Sequence, residues 1–436
     1  MEFLIFTISV SVVIGLWSLI TYPHLAIALL LITPLVKAAA ITYVPFFRSV
    51  DLTVIVNLLA GISGLWVYIR QRSQHFQLFI PYHMLLCLGI VFLVFLTGLL
   101  WTTAPNYGHQ KVVRFIGIGL PYMVLPAFFV RSKQDGIRVL HIIIVISVLV
   151  ALLLIAFPES HLSIARYGRF FGRGTFFGSD PNSPASIIVV GILLLVITVF
   201  AGVASRWLKY SAFLLIPLGL TAILITGSRA NLLGLFSILP FMALFINRHS
   251  RGKWILFGFI FVSLLIFMSF MLSTMFEHIP VDRWLKFTKQ VQSGDLSSNR
   301  LPAWSFCARN AWDHLIIFGH GPGSYAKDFL KEDLPLWPHN ILMEALYEAG
   351  IVGFMALFSY FVVCARTILK GLRASHSSED LLLVAGPSAI VLSMTMMAMT
   401  HWDIDGSRFL YLFSGILHVN VEHILRQEIS NLSGVT

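Results

Sequence analysis

Ile142-Ile-Ile-Val-Ile-Ser-Val-Leu-Val-Ala-Leu-Leu-Leu-Ile-Ala156 carries one hydroxyl and no charge, and it lies within an apolar run over 137–157. About 20 apolar residues at 1.5 Å each cross the hydrocarbon core of a bilayer as a helix. Outward from this run the pattern recurs at 3–20, 24–42, 51–69, 79–101, 112–130, 186–204, 208–226, 230–246, 254–273, 341–365, 382–399 and 408–424. The fold expected is therefore an all-α polytopic membrane protein of twelve or thirteen transmembrane helices. Composition agrees: the 436 residues are 57% hydrophobic and 11% charged, and the mean hydropathy is +0.85, which excludes an ordinary water-soluble chain. The first twenty residues are apolar with no Lys or Arg before Lys37. They lack the basic start of a cleaved signal peptide and read as a retained span.

A formal charge of +10 would suggest nucleic acid in a soluble protein. Here the basic residues fall in alternate breaks between spans: Arg70 and Arg72; Arg131, Lys133 and Arg138; Arg206 and Lys209; Arg248, Arg251 and Lys253; Arg366, Lys370 and Arg373; and Arg426. By the positive-inside rule these breaks face the cytoplasm, so those at 102–111, 158–185, 227–229, 274–339 and 400–407 face outward. No nucleic-acid partner is expected; membrane lipids are. The chain divides into a first part of the bundle (1–273), one outer loop (274–339) and a last part (340–436), forming a single integrated domain. The outer loop balances seven Lys and Arg against seven Asp and Glu. Within it, Arg300-Leu-Pro-Ala-Trp304 opens a helical pattern with Trp304, Ala308, Trp312 and Leu315 on one face, and Gly319-His-Gly-Pro-Gly323 reads as a turn segment.

Several outward-facing residues depart from the charge pattern. Arg166, Arg169 and Arg173 lie in the 158–185 break, and Arg229 sits at a break too short to hold it in water. A guanidinium so placed either snorkels to lipid head groups or meets an anion in a wet cavity. Backbone N–H groups at the helix start from Ala230 favour a phosphate. Arg300 reads as a solvated loop arginine on its own. His339 follows Pro338 at the mouth of the span starting near Asn340. It is either an interfacial histidine or, if the helix dipole keeps its ring neutral, a general base. Glu344 and Glu348 lie four apart on one helix face, where they could hold a cation or arrange a basic partner, but a structural role, pairing with arginines of neighbouring helices, is favoured. Cys87, Cys307 and Cys364 show no metal-ligand spacing or disulfide framework. Nucleotide-binding motifs, HExxH and GxSxG are absent, so no cofactor and no metal are expected.

In order along the chain, Gly172 to Asn182 ending Ser-Asp-Pro-Asn, Gly227-Ser228-Arg229, Arg300 to Trp304 followed by Gly319 to Gly323, and His339-Asn340 followed by Glu348 and Gly350 resemble the motifs of the O-antigen ligase and polymerase superfamily of bacterial envelope glycosyltransferases. The resemblance covers about Arg173 to Gly353, with Ser-Asp-Pro-Asn replacing the family's tighter Asn-Pro-Asn. It implies a GT-C-like fold in a bacterial inner membrane. It also implies inverting, metal-independent transfer of a glycan from undecaprenyl diphosphate to an acceptor hydroxyl at the periplasmic face. Under it His339 activates the acceptor, Arg229 and Arg300 hold the diphosphate, and Arg169 and Arg173 add substrate contacts. The acceptor is lipid A-core for a ligase or a carrier-linked repeat unit for a polymerase; the moderate length and single mid-sized loop favour the ligase. A glycolipid or ion transporter is the alternative from another class, but it leaves the outer loop ending in His339 without a purpose.

Overall fold

The computed structural model describes residues 22, 24–43, 51–71, 77–156, 180–238, 300–312 and 315–433. Every regular element among them is helical: α1 (His24–Tyr43), α2 (Leu52–Gln71), α3 (Tyr82–Gly98), α4 (Pro105–Phe129), α5 (Lys133–Ala156), α6 (Asn182–Phe200), α7 (Arg206–Thr226), α8 (Arg229–Ser237), α9 (Arg300–Asn310), α10 (Ser324–Leu330), α11 (Ile341–Ala374), α12 (Ser378–Ala398) and α13 (Arg408–Ser433). Seven of these, α2, α4, α5, α6, α7, α11 and α12, are long and apolar enough to cross a membrane, and α1 and α3 add shorter apolar stretches. The protein is an all-α polytopic membrane protein. The expected spans at 3–20 and 254–273, and the second part of 230–246, lie outside the described residues.

Apolar side chains point outward as well as inward. On α2, Leu58, Ile62, Leu65, Trp66 and Ile69 share one exposed face, a pattern that suits lipid and would be a liability in water. α6 and α12 are the most enclosed spans. The helix ends follow local chemistry. Ser205 accepts the Leu208 N–H at 3.2 Å to start α7, and Gly227 ends it with φ +62°, the left-handed cap that glycine adopts freely. Ser377 and Asp380 form a capping box on α12. In α4 a π-turn over Phe115–Gly119 precedes Pro121. Proline cannot donate to the carbonyl four residues back, and Asn57 of α2 supplies the missing N–H to Gly117 O at 2.8 Å.

The described residues of the breaks assigned outward meet at one end of the bundle. Trp101 Nε1 donates to Gly319 O at 2.9 Å and Thr102 Oγ1 to Pro322 O at 2.8 Å. Asp333 accepts the Asn106 and Tyr107 N–H groups, both at 3.0 Å, capping α4 from 226 residues away in sequence. At the opposite end Lys133 pairs with Asp380 at 2.5 Å. α9 buries Ala303, Cys307 and Ala311, while Trp312 is exposed. Small side chains there allow close approach to the bundle. Lys111, placed by sequence in the 102–111 break, lies inside α4 and is fully buried, because α4 begins seven residues before the expected span.

Candidate active site

The site rests on a broken helix. α11 is interrupted at Gly350, with φ +63° and ψ −164°. An unbroken helix would bond Ile351 N–H to Tyr347 O and Val352 N–H to Glu348 O. Instead Ile351 N–H donates to Ile316 O at 2.8 Å and Val352 N–H to Ile317 O at 3.2 Å, while His320 N–H and Gly321 N–H donate to Tyr347 O and Glu348 O, each at 3.0 Å. The segment 316–321 is thus inserted into the helical hydrogen-bond ladder and satisfies all four freed groups. Gly319, Gly321 and Gly323 all have positive φ, and a side chain at Gly319 would run into the backbone of Glu348 to Gly350. The glycine-rich turn is therefore how the outer loop enters the bundle.

Beneath it lies a fully buried ion cluster. Lys111 Nζ pairs with Glu344 and, at 2.6 Å, with Glu348 Oε2. Glu348 Oε2 also accepts Gly323 N–H at 2.9 Å, and Glu344 Oε2 accepts Ile404 N–H at 3.2 Å. One lysine thus holds α4, α11, the glycine-rich turn and the 400–407 loop together. The two glutamates have the structural role expected, but their partner is a lysine and not an arginine. In the 400–407 loop Asp403 and Asp405 are buried. Burial and the neighbouring Asp403 charge push the Asp405 carboxyl well above the usual range.

His339 sits above this cluster, half-buried, just before α11. Its backbone is left-handed, φ +58°, a conformation few non-glycine residues hold without outside support. Support comes from both sides: Trp304 Nε1 donates to Pro338 O at 2.8 Å, and Asn340 accepts the Leu342 and Met343 N–H groups at 3.0 and 3.1 Å. His339 Nδ1 lies 3.0 Å from His401 O, which also accepts Trp337 Nε1 at 2.7 Å. A carbonyl only accepts, so Nδ1 carries the hydrogen and Nε2 keeps its lone pair. The His339 pKa is lowered to about 4, first by burial and further by the Arg300 charge, against the raising effect of the His401 carbonyl. Burial, not the helix dipole considered from sequence, is the main influence favouring a neutral ring.

The His401 ring stacks parallel to that of His339, centroids 5.6 Å apart and planes 5° apart. Asn182, the first residue of α6, reaches it: Nδ2 donates to His401 Nε2 at 2.6 Å and to Asp180 Oδ1 at 2.8 Å. Ser228 Oγ donates to Asn182 Oδ1 at 2.5 Å, and Asn231 Nδ2 donates to Ser228 Oγ at 2.8 Å. Arg229 follows Ser228 directly, at the head of α8. Described residues of three of the sequence motifs, Asn182, Ser228-Arg229 and His339, therefore come together around His401, and Arg300 at the head of α9 is close enough for its charge to act on His339. Arg169 and Arg173 lie outside the described residues. His401, Asn182 and Lys111 were not foreseen as site residues; the sequence signal for the first was a histidine with two aspartates between apolar runs. Among the described residues no group of three His, Cys, Asp or Glu is placed to hold a metal ion.

Residues 212–358, which include α8 to α10 and the first part of α11, match the family described as O-antigen ligase. Along 412 aligned residues the chain is 22% identical to the teichuronic acid biosynthesis protein TuaE of Bacillus subtilis (strain 168), covering 87% of this chain and 80% of that protein. The matched region runs through the arginine turn, the glycine-rich turn and His339. Together these likenesses support a relation to the O-antigen ligase and polymerase superfamily.

Proposed function

We propose that the protein is a glycosyltransferase of the ligase type, moving a glycan from an undecaprenyl-diphosphate carrier to a hydroxyl of lipid A-core at the outer face of the bacterial inner membrane. The observation that carries this is the fixed tautomer of His339. With Nδ1–H held by the His401 carbonyl at 3.0 Å, Nε2 is the lone pair available to an acceptor hydroxyl. In the proposed step the acceptor oxygen attacks the anomeric carbon, its proton passes to His339 Nε2, and the bond from that carbon to the diphosphate oxygen breaks with inversion. Arg229 and Arg300 take up the charge that develops on the leaving diphosphate, a task suited to planar guanidinium groups. Arg169 and Arg173 are proposed as further diphosphate contacts.

The second reading within the same chemistry takes a carrier-linked repeat unit as acceptor, which would make the protein a polymerase. Deletion followed by a lipopolysaccharide gel tests the proposal. A ligase leaves bare core while carrier-linked polymer accumulates; a polymerase leaves core bearing one repeat; an unchanged pattern with loss of another envelope polymer removes lipid A-core as acceptor.

A further inference from the structure

Asn182, the first residue of α6, joins His401 to the arginine turn through Ser228. Its amide is oriented by its partners: Asp180 is a carboxylate that only accepts, so the atom 2.8 Å from its Oδ1 is the nitrogen. The second N–H of that nitrogen is spent on His401 Nε2 at 2.6 Å. His401 Nε2 must then carry a lone pair, which leaves the ring neutral with its hydrogen on Nδ1. Asp180 Oδ2 lies 3.8 Å from the same Nε2, so a carboxylate that would welcome an imidazolium is nearby, and the amide donor is what opposes one.

The charge on His401 matters because its ring lies parallel to that of His339, centroids 5.6 Å apart. A cation there disfavours a second cation on His339, the species formed when His339 takes the acceptor's proton. We infer that Asn182 is a positioning residue that keeps His401 neutral and stacked, so that His339 can accept a proton, and that ties this state to the turn bearing Arg229 through Ser228. This rests on His339 acting as the base. Of the charged groups facing the pair, Arg300 and Asp403 act on His339, and Asp180 lies 3.8 Å from His401 Nε2.

Asn182→Asp is nearly isosteric but presents a second carboxylate to His401 Nε2. It should move the hydrogen to Nε2 and raise the His401 pKa, so that His401 is charged below that value and neutral above it. Glycan transfer is measured across pH in membrane vesicles carrying the native carrier-linked glycan. Asn182→Asp should retain transfer at alkaline pH and lose it as pH falls, its acid limb lying at least about one unit above that of wild type, a tenfold difference in the active fraction. Adding His401→Gln removes the titrating ring and should return the limb toward its wild-type position. A uniform loss at all pH values, or a limb unchanged in Asn182→Asp, overturns the inference. His339→Ala is run beside it: if that variant transfers normally, the base assignment fails, whereas an inactive His339→Ala with an unshifted Asn182→Asp limb defeats the positioning role alone.

Discussion

Replacing Lys111 by methionine keeps a long apolar stem and removes only the ammonium. Lys111, Glu344 and Glu348 are all fully buried, so Lys111→Met leaves two carboxylates without their cation and without water. Surface pairs contribute about 0–1 kcal/mol, but removing one partner of a buried pair costs about 3–5 kcal/mol. The glutamates cannot swing away cheaply, since they also accept Gly323 N–H at 2.9 Å and Ile404 N–H at 3.2 Å. Unfolding of the purified protein in lipid nanodiscs should show a stability loss in that range, about two to four powers of ten in the folded-to-unfolded ratio. Combining Lys111→Met with Glu344→Gln and Glu348→Gln should recover most of it, because amide oxygens still accept both N–H groups and no charge remains unpaired. A single variant within about 1 kcal/mol of wild type, or a triple variant no more stable than the single, would refute the keystone role of this cluster.

Other perturbations follow from the same geometry. Gly350→Ala forces a side chain into φ +63°, ψ −164°, a region open essentially to glycine, and into the carbonyls of Ile316 and Ile317; a destabilisation of at least about 1–3 kcal/mol is expected in the same unfolding assay. Arg229→Lys keeps the charge and loses the two-pronged donor, so transfer should fall about 10- to 100-fold with protein levels unchanged, the worth of a hydrogen bond to a charged group. The pH profile of transfer reports on His339: a base works deprotonated, so with a pKa of about 4 activity should hold as pH falls from 8 to 5 and drop only below that. An acid limb centred near about 6.5, the value of an unperturbed histidine, would show the ring to be solvated in the working enzyme.

The parts of this protein legible in its sequence are those decided by local composition. The run at 137–157 needed only its length to read as a span, and the alternation of Lys and Arg was enough to group the breaks that meet at one end of the bundle. His339 and Arg229 stood out because each breaks a local rule: a histidine at a helix mouth behind a proline, and an arginine with almost no loop. What stayed hidden depends on pairings across the chain. Asn182 meets His401 from 219 residues away, and nothing near either residue announces the other. Lys111 looked like a loop charge because the apolar run starts at Val112, while its real environment is set by Glu344 and Glu348 on another helix. The glycines of 319–323 were recognisable as a turn, but completing a broken helix is visible only once Gly350 is in place.

The account turns on His339 Nε2 taking the acceptor's proton. The direct measurement is glycan transfer by His339→Ala in vesicles matched for membrane-inserted protein and for carrier-linked donor. Loss of a positioned general base removes about 10²–10⁴-fold in rate, and a fall of at least that lower bound, with the protein still folded in the membrane, is the predicted result. Transfer within a few-fold of wild type would contradict it.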